Sequence, residues 1–206
     1  MSLANWAQVN KQSGSGNDTI SVTTNSNHTG RVARSTQMTV SAANVQSAVR
    51  TINQAGKPEF VTIQAAASVS KDGGTVTLSG RSNSSQLTFL LGSGATLALE
   101  LPVNYIANSV STGNGVAIAG DPGASTEFDF SITFTGIPEN TTVQDLLAQV
   151  IVTDNAGHTA TCTVTQAAGD ATLDVSPASV ELPWDAYSEG TSATFTVTSN
   201  TNWTVD

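Results

Sequence analysis

Thr163-Val164-Thr165-Gln166-Ala167-Ala168-Gly169 is the stretch that decides how the chain is divided, because a close copy stands at Thr51-Ile52-Asn53-Gln54-Ala55-Gly56. Each copy is a strand-like run that ends in Gln and passes through small residues to Gly. A new alternation of apolar and polar residues follows each copy, beginning at Phe60 and at Leu173. A strand, a glycine turn and a fresh strand are typical of a junction between domains. We call residues 51–56 and 163–169 the first and the second seam.

The seams predict modules of about a hundred residues. Their glutamines stand at positions 54 and 166, a separation of 112 residues, which is a common domain size. We therefore divide the chain into an unfinished unit at 1–56, a complete unit at 57–168, and the opening strands of a further unit at 169–206.

The composition favours strands and turns over helices. Hydrophobic residues make up 38% of the chain and charged residues only 11%, and Ser, Thr, Asn and Gly fill the difference. A mixture rich in Thr and Val is typical of β-structure. The predicted fold class is all-β, with antiparallel sandwiches in tandem.

The central unit carries enough strand-like runs for a complete sandwich. In the run from Glu127 to Thr135 one face takes Phe128, Phe130, Ile132 and Phe134, which we expect to form the heart of the core. Short strands at intervals of about a dozen residues are typical of a β-sandwich. The eight predicted strands are 60–64, 74–79, 86–91, 96–101, 116–119, 127–135, 149–153 and 158–166.

Two local features of the central unit make sharper predictions. Residues 143–148 are the only helix candidate, one or two turns with Thr141 or Thr142 as a cap. Residues 149–153 and 158–166 flank the turn Asp154-Asn155-Ala156-Gly157, which predicts a hairpin with glycine where a positive φ is needed.

The terminal units are shorter and look unfinished. Residues 1–56 contain alternating runs such as Thr19 to Thr23 and Gln37 to Ser41, separated by turns rich in Ser, Gly and Asn. Residues 170–206 contain two or three strands, of which Ala193 to Thr198 is the strongest. Two or three strands cannot close a sandwich, so this segment needs either a partner or a continuation of the chain.

The net charge limits the classes of partner. The formal net charge is −9 and the chain has only seven Lys and Arg, so binding to a nucleic-acid backbone is disfavoured. The first eight residues contain neither the basic nor the apolar region of a secretory signal, and no later segment is predicted to span a membrane. This pattern suits either a protein that assembles inside the cell that makes it or a surface protein whose leader has been removed.

Motifs at both ends resemble a known module. Trp6, Val9, the Ser13 to Asn17 turn, Arg34 and the closing Gln54-Ala55-Gly56 are similar to the second half of a BACON domain. The BACON domain is an Ig-like module of Bacteroidetes surface proteins and crAss-like phages. Toward the C-terminus, Leu173-x-Val175-Ser176-Pro177, Val197 to Asn200 and Trp203-Thr204-Val205 resemble the first half of the same module.

The central unit resembles general bacterial Ig-like domains more closely. Its hairpin Val152 to His158 looks like their final hairpin, and it lacks the central Trp that BACON domains usually have. The resemblance thus implies tandem Ig-like sandwiches, with 1–56 as a BACON-like half and 57–168 as a complete Ig-like domain. Residues 169–206 are either the first strands of a further BACON-like module or the strands that complete 1–56.

The order of the two halves predicts assembly. Because the chain opens with a second half and closes with a first half, the terminal strands would together compose one module. Completion within one chain by circular permutation, exchange between neighbouring subunits, and continuation in a longer array are three open alternatives.

The sequence offers little chemistry. Cys162 lies in an alternating run and is predicted to be a buried hydrophobe, while His28 and His158 lie in turns without the spacing of a zinc site. Glu127 and Asp129 share the outer face of a strand. Two acidic side chains placed in this way more commonly belong to a solvated sheet surface than to the catalytic pair of a glycosidase.

Metal ligands and cofactors are not predicted. Asp170 and Asp174 lie near the second seam and could contribute to a linker Ca²⁺, but their oxygens are too few for a full shell. We expect no catalytic residue, no resident metal and no cofactor.

The aromatic residues give the one candidate contact surface. Trp184 and Tyr187 stand in a Pro- and Gly-bounded loop and are the best candidates to stack on a sugar ring or anchor a protein partner. Trp6 and Trp203 are predicted to be core residues.

The residues and the resemblance together lead to two expectations of function. The first is a non-catalytic structural virion protein of a crAss-like phage, such as a head fibre, a capsid-decorating protein or a tail-associated component, joined to copies of itself or to other virion subunits. The second is a glycan- or mucin-binding module on the surface of a Bacteroidetes bacterium.

Overall fold

The structure is a computed structural model that describes residues 3–182, 184 and 192–206. Apart from one 3-10 turn at Pro122–Ala124, all regular structure in these residues is strand, so the all-β prediction is confirmed. In chain order the strands are β1 (Ala7–Val9), β2 (Val22–Thr24), β3 (Arg34–Val40), β4 (Ala48–Gln54), β5 (Val61–Ile63), β6 (Ala66–Val69), β7 (Gly74–Ser82), β8 (Leu87–Leu91), β9 (Asn104–Ala107), β10 (Val110–Gly113), β11 (Phe128–Ile137), β12 (Leu146–Asp154), β13 (Thr159–Gln166), β14 (Leu173–Ser176) and β15 (Thr196–Ser199).

Strands β5 to β13 form a two-layer, sandwich-like body, which we call the central sandwich. One sheet has five strands in the order β10-β9-β11-β7-β5, and the other has four in the order β6-β13-β12-β8. The ladder between β11 and β7 pairs Phe128 with Ser82 at one end and Ile137 with Gly74 at the other.

The core lies between these two sheets. From Phe128 to Phe134 every second residue of β11 points into it, as the alternation predicted, and Phe130 and Phe134 are almost completely buried. Phe89 of the four-stranded sheet contacts the opposite sheet, with its ring centroid 5.0 Å from that of Tyr105 and 5.7 Å from that of Phe130. Such tilted and edge-on aromatic pairs stabilise a core beyond the apolar area they bury.

One ladder departs from the predicted antiparallel arrangement. Strand β6 pairs in parallel with β13, with Ala66 opposite Thr163 and Val69 opposite Gln166. The chain leaves the five-stranded sheet after β5 and enters the other sheet as β6, so a strand near the start of the sandwich runs beside its last strand in the same direction.

The predicted helix at 143–148 is wrong. Leu146 to Ala148 instead open β12, where Leu147 lies opposite Thr165 of β13. A short apolar run fits a buried strand as well as a helix, and here the long ladder with β13 decides for the strand.

The predicted strands at 96–101 and 116–119 are wrong, because neither segment forms a regular strand. Thr96 and Leu97 donate backbone hydrogen bonds to the Leu147 carbonyl, and Ala117 makes one isolated bridge to Gln86. Three strands that the pattern did not predict, β6, β9 and β10, take part in the sheets.

The hairpin between β12 and β13 has the predicted turn. Asp154 Oδ1 accepts hydrogen bonds from the backbone N–H of Ala156 at 3.0 Å and of His158 at 2.8 Å. Gly157 takes a φ of 90°, which glycine adopts without strain.

The terminal segments form separate two-stranded ladders. These are β1 with β2, β3 with β4, and β14 with β15, all antiparallel. Within the described residues, no ladder joins the strands of 1–56 to those of 169–206.

Candidate functional site

The site with the most elaborate geometry is the junction at the first seam, where the N-terminal strands meet the central sandwich. Gln54, the last residue of β4, accepts a hydrogen bond from Arg34 Nε at 2.8 Å and donates to the Ser26 carbonyl at 3.2 Å. Two residues later Gly56 passes so close to the Arg31 carbonyl oxygen that a Cβ would lie 2.0 Å from it. Only glycine fits there without moving the backbone.

Asn83 is the buried centre of this junction and is completely shielded from solvent. Its Oδ1 accepts a hydrogen bond from the Phe60 backbone N–H at 3.0 Å. Its Nδ2 lies 3.2 Å from the Thr29 carbonyl, 3.3 Å from that of Lys57 and 3.2 Å from that of Pro58. One side chain therefore ties the N-terminal segment, the seam and the sandwich together.

A main-chain contact runs beside Asn83. The Arg31 backbone N–H donates to the Gly123 carbonyl at 2.9 Å, and that of Val32 donates to the Ala124 carbonyl at 3.0 Å. Paired backbone hydrogen bonds between segments about ninety residues apart fix both position and orientation.

Charged pairs close the junction on its outer side. Arg31 holds both oxygens of Asp121, with nitrogen–oxygen distances of 2.6 and 2.5 Å. The hydrogen bond from Arg31 lowers the pKa of Asp121 below its usual value. Lys57 Nζ lies 2.9 Å from Glu127 Oε2, and this hydrogen bond lowers the pKa of Glu127. Forked arginine–carboxylate pairs have a well-defined geometry, so this junction is rigid rather than a free hinge.

The second seam repeats the same construction. Gln166, almost completely buried, donates from Nε2 to the Pro138 carbonyl at 2.7 Å. Asn140, equally buried, donates to the Ala167 carbonyl at 3.0 Å and accepts from the Thr142 N–H at 3.0 Å. A Cβ on Gly169 would lie 2.1 Å from the Asn140 carbonyl oxygen, as a Cβ on Gly56 would on Arg31.

The strands beyond the seams expose apolar side chains. Val40 and Val49 are exposed on opposite faces of the hairpin of β3 and β4. Leu173, Val175 and Phe195 are exposed on or beside β14 and β15. Both terminal ladders thus leave apolar side chains uncovered within the described residues.

The predicted core position is confirmed for Trp6 but not for Trp203. Trp6 is buried, 8% exposed, with the Arg34 guanidinium 4.8 Å from its ring centroid, as expected of a core residue. Trp203 is 50% exposed, so its predicted core position is wrong: none of the described strands forms a second layer over the β14–β15 ladder. Trp184 is 97% exposed, and Tyr187 lies outside the described residues.

The carboxylates of Glu127 and Asp129, at the start of β11, are paired with the arginine Arg81. Arg81 Nη2 lies 2.9 Å from Glu127 Oε1, and its Nε lies 3.1 Å from Asp129 Oδ1. A paired carboxylate with a lowered pKa is a poor general acid near neutral pH. This arrangement stabilises the outer sheet face and gives no support to glycoside hydrolysis.

The other candidate ligands lie apart from one another. Asp170 pairs with Lys71, and Asp174 lies on the exposed strand β14. His28 contacts the Val32 carbonyl, and His158 contacts Asp154. Within the part of the chain that the structure describes, no three His, Cys, Asp or Glu residues gather as a metal site would require.

The described residues also include a buried thiol and a shallow surface groove. Cys162 is fully buried as predicted, and burial raises the pKa of its thiol. A shallow polar groove of about 670 Å³ lies on the outer face of the five-stranded sheet, lined by Gln64, Arg81, Asn108 and Asp129 among others. No helix among the described residues has the length and apolar character that a membrane crossing requires.

Sequence reasoning located the seams but missed their buried asparagines. Asn83 follows β7 and Asn140 follows β11, and no sequence spacing marks either position. Asparagines near strand ends usually lie in exposed turns. The side chains of the two asparagines bond neither the glutamine nor the glycine of their seam, so the seam motif holds no signal for them.

No protein-family model matches the chain, and no curated protein matches it.

Proposed function

We propose that this chain is a non-catalytic structural protein of a virion, namely a head fibre, a capsid-decorating protein or a tail-associated component of a crAss-like bacteriophage. The BACON-like character of 1–56 and 169–206 and the tandem Ig-like organisation belong to the same proposal. The observation that carries it is that, among the described residues, the two-stranded ladders on both sides of the central sandwich leave apolar side chains exposed, Val40 and Val49 on one and Leu173 and Val175 on the other.

The seams support a structural role. A fibre or decorating protein must hold its modules at a defined angle, and each seam combines a buried asparagine, a glycine pressed on backbone and an ion pair. Polar groups that are buried and fully bonded fix one arrangement and exclude others. Junctions of this kind can hold neighbouring modules in a fixed relative orientation.

The chemistry of the described residues supports a role without catalysis or cofactor. The acidic pair is neutralised by Arg81, the single cysteine is buried, and the net charge of −9 opposes nucleic-acid binding. The partners in this proposal are proteins: other copies of the chain or other virion subunits.

Fractionation of an infected culture tests this function. Particles purified on a density gradient are digested and analysed by mass spectrometry, and gold-labelled antibody against the chain is applied to intact particles. We expect peptides of the chain in the particle band and gold on the particle surface. Enrichment in the bacterial outer membrane, with none in the particle band, would overturn the virion assignment.

A glycan- or mucin-binding surface module is the second candidate, favoured by one observation. Trp184 is 97% exposed, and an indole ring presented in this way can stack on a sugar. A glycan array compares the unmodified chain with Trp184→Ala. Trp203→Ala is the matched control, because this second exposed tryptophan was not predicted to bind. Signal that is lost only in Trp184→Ala supports this candidate, and an array without signal removes it.

A further inference from the structure

The central sandwich shows how a seam strand is completed. Strand β13 ends in the seam glutamine and has β12 on one side and β6 on the other. Strand β6 runs parallel to β13, with Val69 opposite Gln166 and Ser68 opposite Thr165. The residues Ala67-Ser68-Val69 therefore occupy the edge beside a seam strand.

The same three residues occur again after the second seam. Ala178-Ser179-Val180 follows Ala67-Ser68-Val69 by 111 residues, close to the 112 that separate the two seam glutamines. The strands before them agree as well, since β5 begins seven residues after Gln54 and β14 begins seven residues after Gln166. Residues 178–180 thus correspond to β6 of a module that the second seam opens.

The corresponding receptor strand is β4. It ends in Gln54 as β13 ends in Gln166, and it pairs with β3 as β13 pairs with β12. In the described residues β4 has no neighbour on its other side. Residues 178–182 in turn belong to no strand, and Val180 is exposed. Among the described residues, β4 thus has one free edge, and residues 178–180 have the sequence of an edge strand but lie in no sheet.

The two segments that would meet, residues 1–56 and 169–206, carry opposite net charges. Residues 1–56 carry four basic side chains and one acidic, a net charge of +3: Lys11, Arg31, Arg34, Arg50 and Asp18. Residues 169–206 carry six acidic side chains and no basic one, a net charge of −6: Asp170, Asp174, Glu181, Asp185, Glu189 and Asp206. Opposite net charges steer such surfaces together and oppose pairing of like ends.

The two surfaces lie at opposite ends of the central sandwich. The N-terminal junction contacts Asn83, just beyond the end of β7, whereas Asp170 and Asn200 contact Lys71 and Thr141, near its beginning. Nine residues of extended strand separate these ends by about 26 Å. While β14 stays paired with β15, residues 178–180 meet the β4 edge of another molecule more readily than their own.

We propose that residues 178–180 of one copy add as a parallel strand to the free edge of β4 in a second copy, with Val180 opposite Gln54 and Ser179 opposite Asn53. The occupant of the β4 edge is a second copy of this chain, and repeated addition links copies head to tail. The inference rests on the proposed structural function and supplies its assembly contact.

Cysteine pairs test both the contact and its register. Asn53→Cys and Ser179→Cys proteins are mixed under mild oxidation, and a crosslinked species of twice 21.1 kDa is expected because opposed residues of neighbouring strands lie within disulfide reach. Mixing Asn53→Cys with Val180→Cys is the matched control, since position 180 then faces the other side of the sheet. The unmodified chain, with Cys162 buried, should form no crosslink. Equal yields from both mixtures, or none from either, would overturn the proposal.

Sedimentation measures the strength of the contact. Val180→Pro removes a backbone N–H from the donated strand and should weaken association at least tenfold, whereas Ala171→Pro, in an exposed segment outside any strand, should leave it unchanged. Raising the salt from about 50 mM to about 500 mM should also weaken association, because salt screens the attraction between the oppositely charged segments.

The outcomes separate this inference from the proposed function. Particles that contain the chain, together with a chain that stays monomeric at all concentrations, would leave the virion role standing and refute the strand addition. Strand addition between copies, with no chain in purified particles, would do the reverse.

Discussion

Replacement of Asn83 by alanine should loosen the first junction and destabilise the sandwich at once. The substitution removes one acceptor, used by the Phe60 N–H, and an amide that faces the carbonyls of Thr29, Lys57 and Pro58. Because an amide nitrogen carries two hydrogens, about three hydrogen bonds are made at one time. At about 1 kcal/mol for each buried bond, we expect a loss of about 3 kcal/mol.

Urea unfolding and thermal melting measure this loss. For a chain of this size, about 3 kcal/mol corresponds to a fall in Tm of about 10 °C. Hydrogen exchange adds a local readout, because the Phe60 N–H loses its acceptor and should exchange faster in Asn83→Ala. Asn155→Ala is the matched control: its side chain is exposed in the β12–β13 turn, and its effect should stay within about 0.5 kcal/mol. A loss below about 1 kcal/mol, or one equal to that of the control, would refute the assignment of Asn83 as the centre of the junction.

Three further predictions follow from single groups. The hydrogen bond from Arg31 lowers the pKa of Asp121. The ionised Asp121 therefore adds its full stabilisation above the unfolded pKa and loses it as the pH falls through the folded pKa. Between about pH 5 and about pH 2, urea unfolding should show a smaller loss of unfolding free energy for Asp121→Asn than for the unmodified chain. Burial raises the pKa of Tyr105 to about 12, and the nearby Leu87 backbone lowers it by less. By distance and angle the Tyr105 hydroxyl makes no hydrogen bond among the described residues, so the contact with Leu87 is not one. Tyr105→Phe should therefore keep or raise the free energy of unfolding, by up to about 1 kcal/mol, and a loss above about 1 kcal/mol would show a hidden partner. Cys162 should react with a thiol reagent only in urea, and fast labelling of the native chain would contradict its burial.

The parts of the fold that local pattern determines were predictable. The alternation through Phe128, Phe130, Ile132 and Phe134 places four apolar side chains on one strand face, and the face they share is the core. The turn at 154–157 was equally clear, because Asp, Asn and Gly each have a local reason to be there.

Other strands were missed because their turn has no glycine. The hairpin of β9 and β10 turns through Asn108 and Ser109, at φ values of 47° and 66°. Asparagine tolerates this conformation, but serine rarely adopts it, so sequence gave no reason to expect a tight turn. The strands on both sides are four residues long, too short to be recognised by alternation alone.

The junction could be predicted only in outline. Its seam is a repeated phrase and is visible in the sequence, but Arg31 and Asp121 stand 90 residues apart and meet only when the sandwich has formed. Long-range pairs of this kind are set by topology and leave no local periodicity. Trp203 failed for a related reason: its pattern is that of a core residue, and the layer that would cover it is absent from the described strands.

The parallel ladder of β6 and β13 has a mechanical consequence. Tension transmitted through the neighbouring modules pulls the start of the central sandwich one way and its end the other. Because β6 and β13 run in the same direction and lie near these two ends, such tension slides one strand along the other. Hydrogen bonds across four paired residues are then loaded together and must break together, whereas a peeled hairpin gives up one bond at a time. The crossing from β5 to β6 should therefore make the central sandwich resist a pulling force better than a module whose end strands form a hairpin.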